Sequence, residues 1–382
     1  MRFEFATAGR ILFGAGCVEA APAAAREMGK HALLVTGRTL GRTAEIAALF
    51  ERAGIACRSF PVSGEPSVET ARQGAAHALQ EGCDLVVALG GGSAIDAGKA
   101  IAALAANRGD PLDYLEVVGR GQPLLKPSLP CIAIPTTAGT GSEVTRNAVL
   151  VSPAHGVKAS LRSPHLLPRV AVVDPVLTLD LPPEITASTG LDALTQLIEP
   201  FVSVRANVMT DLFAREGIRL VAAALRQAYY DGADLKARTG MAMASLLGGL
   251  CLANAGLGAV HGFAAPVGGM FPAPHGAVCA ALLPCVMEAN IRALRERAPE
   301  GEALRRYGEI ARILTGEPVP EAGVEWVRET CEMLKIPRLG AWGVRSEHIP
   351  DLVQRASQAS SMKGNPLPLT PEELTRILEW AI

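Results

Sequence analysis

DLVVALGGGSAIDAGKAIA, residues Asp84–Ala102, is the stretch whose reading decides the fold. Leu85–Leu89 is a short apolar run with a polar start and a glycine stop, the pattern of a strand buried on both faces. Gly90, Gly91 and Gly92 follow without a break, and an Ala-rich helical pattern opens at Ser93. Ser93 and Asp96, three residues apart, read as a capping box for that helix. A strand turning on bare glycines into a helix offers backbone N–H groups and a positive helix end to an anion, and a Cβ in the turn holds phosphate away. This is not the G-x-G-x-x-G fingerprint, and a plain connecting turn accounts for the glycines alone. A second polar loop downstream favours phosphate binding.

Working outward, Phe3–Phe13 alternates loosely and reads as an edge strand or hairpin. Ala32–Thr36 is a second buried strand, followed by a helix to about Ala53 and a third strand at Ile55–Phe60. Ser67 caps a helix running to Gln80, and Cys131–Ile134 and Val170–Asp174 are further strands. Strands separated by helical stretches predict a doubly wound parallel sheet with ligands at the strands' C-terminal ends. After Leu181-Pro182-Pro183 helical periodicity takes over. The chain therefore divides into an α/β nucleotide-binding domain, 1–181, and an all-α domain, 182–382, with a cleft between such halves as the expected place for a site.

Composition narrows the function. Net charge is -2 over 382 residues, so no basic field favours nucleic acid. Aromatic residues are only 4% against 49% hydrophobic, which leaves Ala, Val, Leu and Ile to build the core. Met1–Arg10 lacks a signal-peptide core, and no charge-free apolar run reaches the ~20 residues of a membrane helix. The eight cysteines are scattered without a C-x-x-C and read as reduced, mostly core thiols of a cytoplasmic protein.

Two further stretches carry chemistry. Pro135–Glu143 (PTTAGTGSE) ends the CIAI strand, so its threonines lie on the same sheet edge as the Gly90 turn, where they can bond ribose or phosphate. Lys158 adds a candidate cation. In the helical half, Asp192, Gln196 and Glu199 are spaced i, i+4, i+7 and share one helix face. His261 and His275 lie fourteen residues apart in an apolar setting, each followed by glycine. Either histidine alone reads as a core residue. With Asp192 they form a two-His, one-carboxylate set suited to a divalent transition metal, and spacing alone leaves both readings open.

GGGSAID, PTTAGTGSE, GLDALTQLIE and GLGAVHGFAAPVGGMFPAPHG, taken in order, resemble the iron-containing (group III) alcohol dehydrogenase family, over essentially the whole chain. The resemblance implies a dehydroquinate synthase-like architecture: a nucleotide-binding α/β domain, a helical domain and a metal in the cleft. It implies that Gly91, Gly92, Ser93 and Asp96 form the pyrophosphate turn, with Thr136, Thr137, Thr140 and Lys158 lining the rest of the dinucleotide site. The family's metal ligands are an aspartate, a histidine four residues later and two further histidines. Here these positions are Asp192, Gln196, His261 and His275. The family's proton-relay histidine, four residues after the first of the later pair, is Ala265.

These departures differ in kind. Gln196 offers a neutral carbonyl oxygen, weaker than imidazole, while Ala265 carries no proton at all. The aspartate that many members place after the second strand is Gly37, followed by Arg38; without that carboxylate to repel a 2′-phosphate, NADP is admissible beside NAD. The expectation is a cytoplasmic, homodimeric NAD(P)-dependent oxidoreductase that interconverts a small alcohol or hydroxy compound with its aldehyde, ketone or oxo acid. Iron or zinc assists, with Asp192, His261 and His275 as the catalytic cluster. The alternatives are a metal-independent oxo-acid reductase like maleylacetate reductase and a non-catalytic nucleotide-binding relative. A dehydroquinate synthase-type lyase needs a lysine and arginine cluster that the His261–His275 stretch lacks.

Overall fold

The structure is a computed structural model that describes residues 2–37 and 40–382. By contacts the described chain forms two compact units. One is Ala6–Thr137 with Gly141–Thr178; the other is Leu179–Ile382 with Ala138–Thr140 and the N-terminal residues through Phe5.

The first unit is built on strands β1 (Arg10–Phe13), β2 (His31–Thr36), β3 (Ala56–Pro61), β4 (Leu85–Gly90), β5 (Cys131–Pro135), β6 (Asn147–Ser152), β7 (Val157–Arg162) and β8 (Val170–Val173). Its helices are α1 (Ala21–Arg26), α2 (Leu40–Arg52), α3 (Val68–Gln80), α4 (Gly92–Asn107) and the single turn α5 (Pro111–Tyr114). Six strands form one parallel sheet in the order β1-β8-β5-β4-β2-β3. Every residue of β4, β5 and β8 is buried. The pleat explains why: Leu34, Leu85, Val87, Leu89, Ile132 and Val172 pack on one face with Ile46 and Phe50 of α2. Leu33, Val35, Val86, Ala88 and Ala133 pack on the other with Ile95 and Ile101 of α4. Helices on both faces are what turn alternating side chains into continuous apolar runs.

Three expectations need correction. The N-terminal strand is the edge strand of the two readings, but it spans only Arg10–Phe13. The sequence reading missed an antiparallel pair, β6–β7, whose Ala148, Leu150, Ala159 and Leu161 pack on Ala71 and Ala75 of α3 and Ala100 and Leu104 of α4. The predicted Ser93–Asp96 capping box does not form: Gly91 is the N-cap of α4 and no side chain caps that end. The Ser67 cap is as expected, its side chain accepting from the Thr70 N–H.

The second unit is helical: α6 (Pro183–Val202), α7 (Val208–Tyr230), α8 (Leu235–Ala255), α9 (Ala259–Met270), α10 (His275–Arg297), α11 (Glu302–Thr315), α12 (Pro320–Met333), α13 (Ile349–Gln358) and α14 (Pro371–Ala381). Among the described residues α10 is long and apolar enough to cross a membrane, but 83% of that stretch is buried within the fold. The pair α8 and α9 passes the same test only when joined across a 99° bend.

Candidate metal centre and nucleotide-binding edge

The strand order reverses between β2 and β4, so the C-terminal ends of these strands form the switch point where open α/β sheets take ligands. Gly37, after β2, donates its N–H to Leu89 O (3.2 Å), and Thr136, after β5, donates to Gly90 O (2.9 Å). Gly90 has φ +151°, and a Cβ there would lie 2.8 Å from the Ala94 side chain. Any other residue both strains and blocks this turn. Gly37, Gly91, Gly92, Ser93, Thr136 and Thr137 remain partly exposed along this edge. Arg38 lies outside the described residues.

Asp96 faces inward. Its oxygens take the Ser142 hydroxyl, the Val149 N–H (3.0 Å) and the Lys99 ammonium (3.0 Å). Lys99 is fully buried and also donates to Ser142 O, Ser142 Oγ and Thr145 Oγ1 at 2.8–3.0 Å. A buried ammonium requires such partners. Lys158 lies in β7 with its charge engaged by Glu65 (2.6 Å), and Thr140 groups by its contacts with the helical unit.

Glu143, in the same loop, is buried, and that burial pushes its carboxyl up to about 7, opposed by Lys99. A carboxyl whose folded pKa exceeds its unfolded value contributes most stability below the unfolded value and loses it as pH rises through the folded one. Glu143→Gln is therefore expected to raise stability at about pH 8 by roughly 2–3 kcal/mol, with little change at about pH 4. Urea midpoints at the two pH values check this; equal midpoints at pH ~8 count against it.

The second constellation lies wholly within the helical unit. Asp192, Gln196 and Glu199 of α6 are all buried. Glu199 Oε1 accepts the Val260 N–H (2.7 Å) and Oε2 lies 2.7 Å from His261 Nδ1, so one carboxylate holds both the first turn of α9 and the imidazole. Asn365 fastens the same turn, accepting from the Ala259 N–H (3.2 Å) while exchanging hydrogen bonds with Asn290 of α10. With Nδ1 held, His261 Nε2 stands 3.6 Å from Asp192 Oδ1. At Gly276 a Cβ would come within 2.7 Å of Ser188 O, so α10 begins against the backbone of α6. That close approach places His275 Nε2 3.8 Å from the same Asp192 oxygen.

Gln196 turns its amide nitrogen to Asp192 Oδ2 (3.2 Å). Asp192 Oδ1 and Gln196 Oε1 are buried without a hydrogen-bond partner. A buried carboxylate oxygen with no hydrogen-bond donor, facing two imidazole nitrogens at ion-pair distance, is well matched to a cation. Cys279, one helical turn after His275, completes the cluster, with Sγ 3.6 Å from His275 Nε2 and 3.8 Å from His261 Nε2. Sequence reasoning counted this thiol among the core cysteines. Its i, i+4 spacing from His275 was the available signal.

The electrostatics agree with a cation-seeking pocket. Burial works against a charge on Asp192, but His275 and His261 outweigh it and the carboxyl titrates below its ordinary value. Burial likewise opposes charge on His261, yet Cys279, Glu199 and Asp192 hold its pKa well above 6.5. His275 is raised by Cys279 and, against burial, by Asp192. Protons and a metal ion would compete for the same imidazole nitrogens.

Comparison with known proteins places the chain. The family model for iron-containing alcohol dehydrogenase matches residues 8–175, and that for the Fe-containing alcohol dehydrogenase family, C-terminal, matches 186–382. Alcohol dehydrogenase 4 of Schizosaccharomyces pombe is 37% identical over 378 residues, covering 97% of this chain and 87% of that protein. The crystal structure of a 1,3-propanediol oxidoreductase superposes with TM-score 0.92 at 34% identity, covering 100% of both chains. A sulfoacetaldehyde reductase from Bifidobacterium kashiwanohense, solved in complex with NAD+, gives TM-score 0.89 at 30% identity over 100% of this chain and 99% of that one. The chain belongs to the iron-containing alcohol dehydrogenase family, whose members use NAD(P) and a metal, and is an oxidoreductase acting on CH–OH groups.

Proposed function

We propose that this protein interconverts a small alcohol with its aldehyde or ketone by hydride transfer to and from NAD(P), with a divalent metal held by Asp192, His261 and His275. The observation that carries this reading is the buried Asp192 Oδ1, without a hydrogen-bond partner, set against two imidazole nitrogens. A metal bound there supplies Lewis-acid polarisation of the substrate oxygen. The protein's own part is to fix the donors: Glu199 holds the His261 ring, Gln196 holds the second Asp192 oxygen, and the seating of Gly276 against α6 brings up His275. A bound nicotinamide would supply the hydride acceptor; Ala265 can accept no proton, so the hydroxyl proton released on oxidation would have to leave through water or one of the cluster histidines.

The glycine turn, with Gly37, Thr136 and Thr137 beside it, is assigned to the dinucleotide. No carboxylate stands at Gly37 to repel a 2′-phosphate, which supports use of NADP as well as NAD. Eight free cysteines suit a reducing cytoplasm, and the family resemblance together with the β1 edge supports a homodimer.

The test is elemental metal analysis of untagged protein together with NADH and NADPH oxidation over a panel of aldehydes and oxo acids. Near-stoichiometric metal and chelator-sensitive turnover are expected. Sub-stoichiometric metal with turnover indifferent to EDTA would favour the metal-independent oxo-acid reductase instead.

A further inference from the structure

The family's fourth metal ligand is missing at Gln196, and the structure offers a replacement on a different helix. We propose that Cys279, as thiolate, is the fourth metal ligand of this chain, so that its metal site is Asp192, His261, His275 and Cys279, suited to zinc. This rests on the reading that the first three residues hold a metal.

The geometry is specific. One ligand atom from each of the four residues lies within 4.8 Å of all the others. With Zn–N about 2.0–2.1 Å, Zn–O about 2.0–2.2 Å and Zn–S about 2.3 Å, a tetrahedral site has donor–donor edges of roughly 3.3–3.6 Å. The edges from Asp192 Oδ1 to the two imidazole Nε2 atoms are 3.6 and 3.8 Å, and those from Cys279 Sγ are 3.6 and 3.8 Å. These four of the six edges lie within a few tenths of an ångström of tetrahedral values, and the other two are no longer than 4.8 Å.

The surroundings of Cys279 differ from those of the other thiols in the helical unit. Cys251 Sγ donates to Thr210 O (3.3 Å), Cys285 to Ala281 O (3.8 Å) and Cys331 to Ala280 O (3.4 Å), as small apolar residues with a weak donor do. Cys279 instead meets two imidazole nitrogens, beside a buried carboxylate oxygen that has no hydrogen-bond partner. Gln196 has the complementary duty. Its amide nitrogen engages Asp192 Oδ2 and so leaves Oδ1 for the cation.

Exchanging an imidazole for a thiolate softens the donor set while keeping four protein ligands, so a substrate oxygen would enter as a fifth. Soft sulfur ligands favour zinc, whereas the family name speaks of iron. The rival fourth donor is Gln196 Oε1, also buried and unpartnered.

The experiment is titration of the metal-free full-length protein with cobalt(II), read by absorption, and X-ray absorption of the zinc-loaded protein. Wild type is expected to bind one cobalt per chain with a near-ultraviolet thiolate-to-cobalt charge-transfer band, and its zinc spectrum to contain one sulfur neighbour. Cys279→Ser is expected to lose the band and to weaken cobalt and zinc binding roughly 100-fold, while Gln196→Ala keeps the band. Circular dichroism confirms that the variants fold, and the wild-type spectra stand even if Cys279→Ser does not. One bound metal with no sulfur neighbour, or wild-type affinity in folded Cys279→Ser, overturns the thiolate ligand and leaves the three-residue site intact. No binding of either metal by wild type overturns both readings.

Discussion

Asp192→Ala is expected to empty the metal site and to lower kcat/KM for NAD(P)H-dependent carbonyl reduction by about a thousandfold or more, the loss of several kcal/mol of electrostatic assistance. Asp192 stands between the two histidines, with Oδ1 facing both Nε2 atoms and Oδ2 taken by Gln196. Without the carboxylate, a divalent ion has to rely on two imidazoles and the Cys279 sulfur. Asp192→Asn separates charge from shape, because it keeps the volume and an acceptor for Gln196 and removes only the anion. Both variants are expected to behave alike in metal content and turnover. Retention of metal and activity by Asp192→Asn would remove the carboxylate from the mechanism.

The second large effect concerns Glu199, which touches none of the reacting groups. Glu199→Ala leaves the Val260 N–H and the His261 Nδ1 site without their acceptor in a buried setting. Two unmet buried groups cost roughly 2–5 kcal/mol of stability, and a freed imidazole lowers metal affinity about 10–100-fold. Glu199→Gln has one carbonyl oxygen for two donors and is expected to fall between alanine and wild type on both measures. Urea unfolding of the metal-free protein and cobalt titration read the two effects separately. A wild-type cobalt affinity in Glu199→Ala would show that the ring needs no positioning.

Parts of this molecule were legible in sequence for definite physical reasons. A strand covered on both faces is an unbroken apolar run, so Leu85–Leu89 and Val170–Val173 announce themselves. The pair Asn147–Ser152 and Val157–Arg162 is covered on one face, chiefly through Ala148, Leu150, Ala159 and Leu161, and that weaker alternation does not stand out from a polar loop. Ser93 and Asp96 have the spacing of a cap, but Lys99 and the Ser142 loop compete for the aspartate and win it. The α6 face was readable because Asp192, Gln196 and Glu199 keep the helical period. The part played by Cys279 was not, since what distinguishes this thiol is that α9 and α10 bring two histidines to its sulfur.

The division into two units has an optical consequence. All three tryptophans, Trp326, Trp342 and Trp380, belong to the helical unit. Intrinsic fluorescence excited at the indole band therefore reports on that unit, while the α/β unit is nearly silent in it. Far-ultraviolet dichroism sees both. Coincident denaturation curves by the two probes would mean that the units unfold as one, and a split between them would time the loss of the helical unit directly.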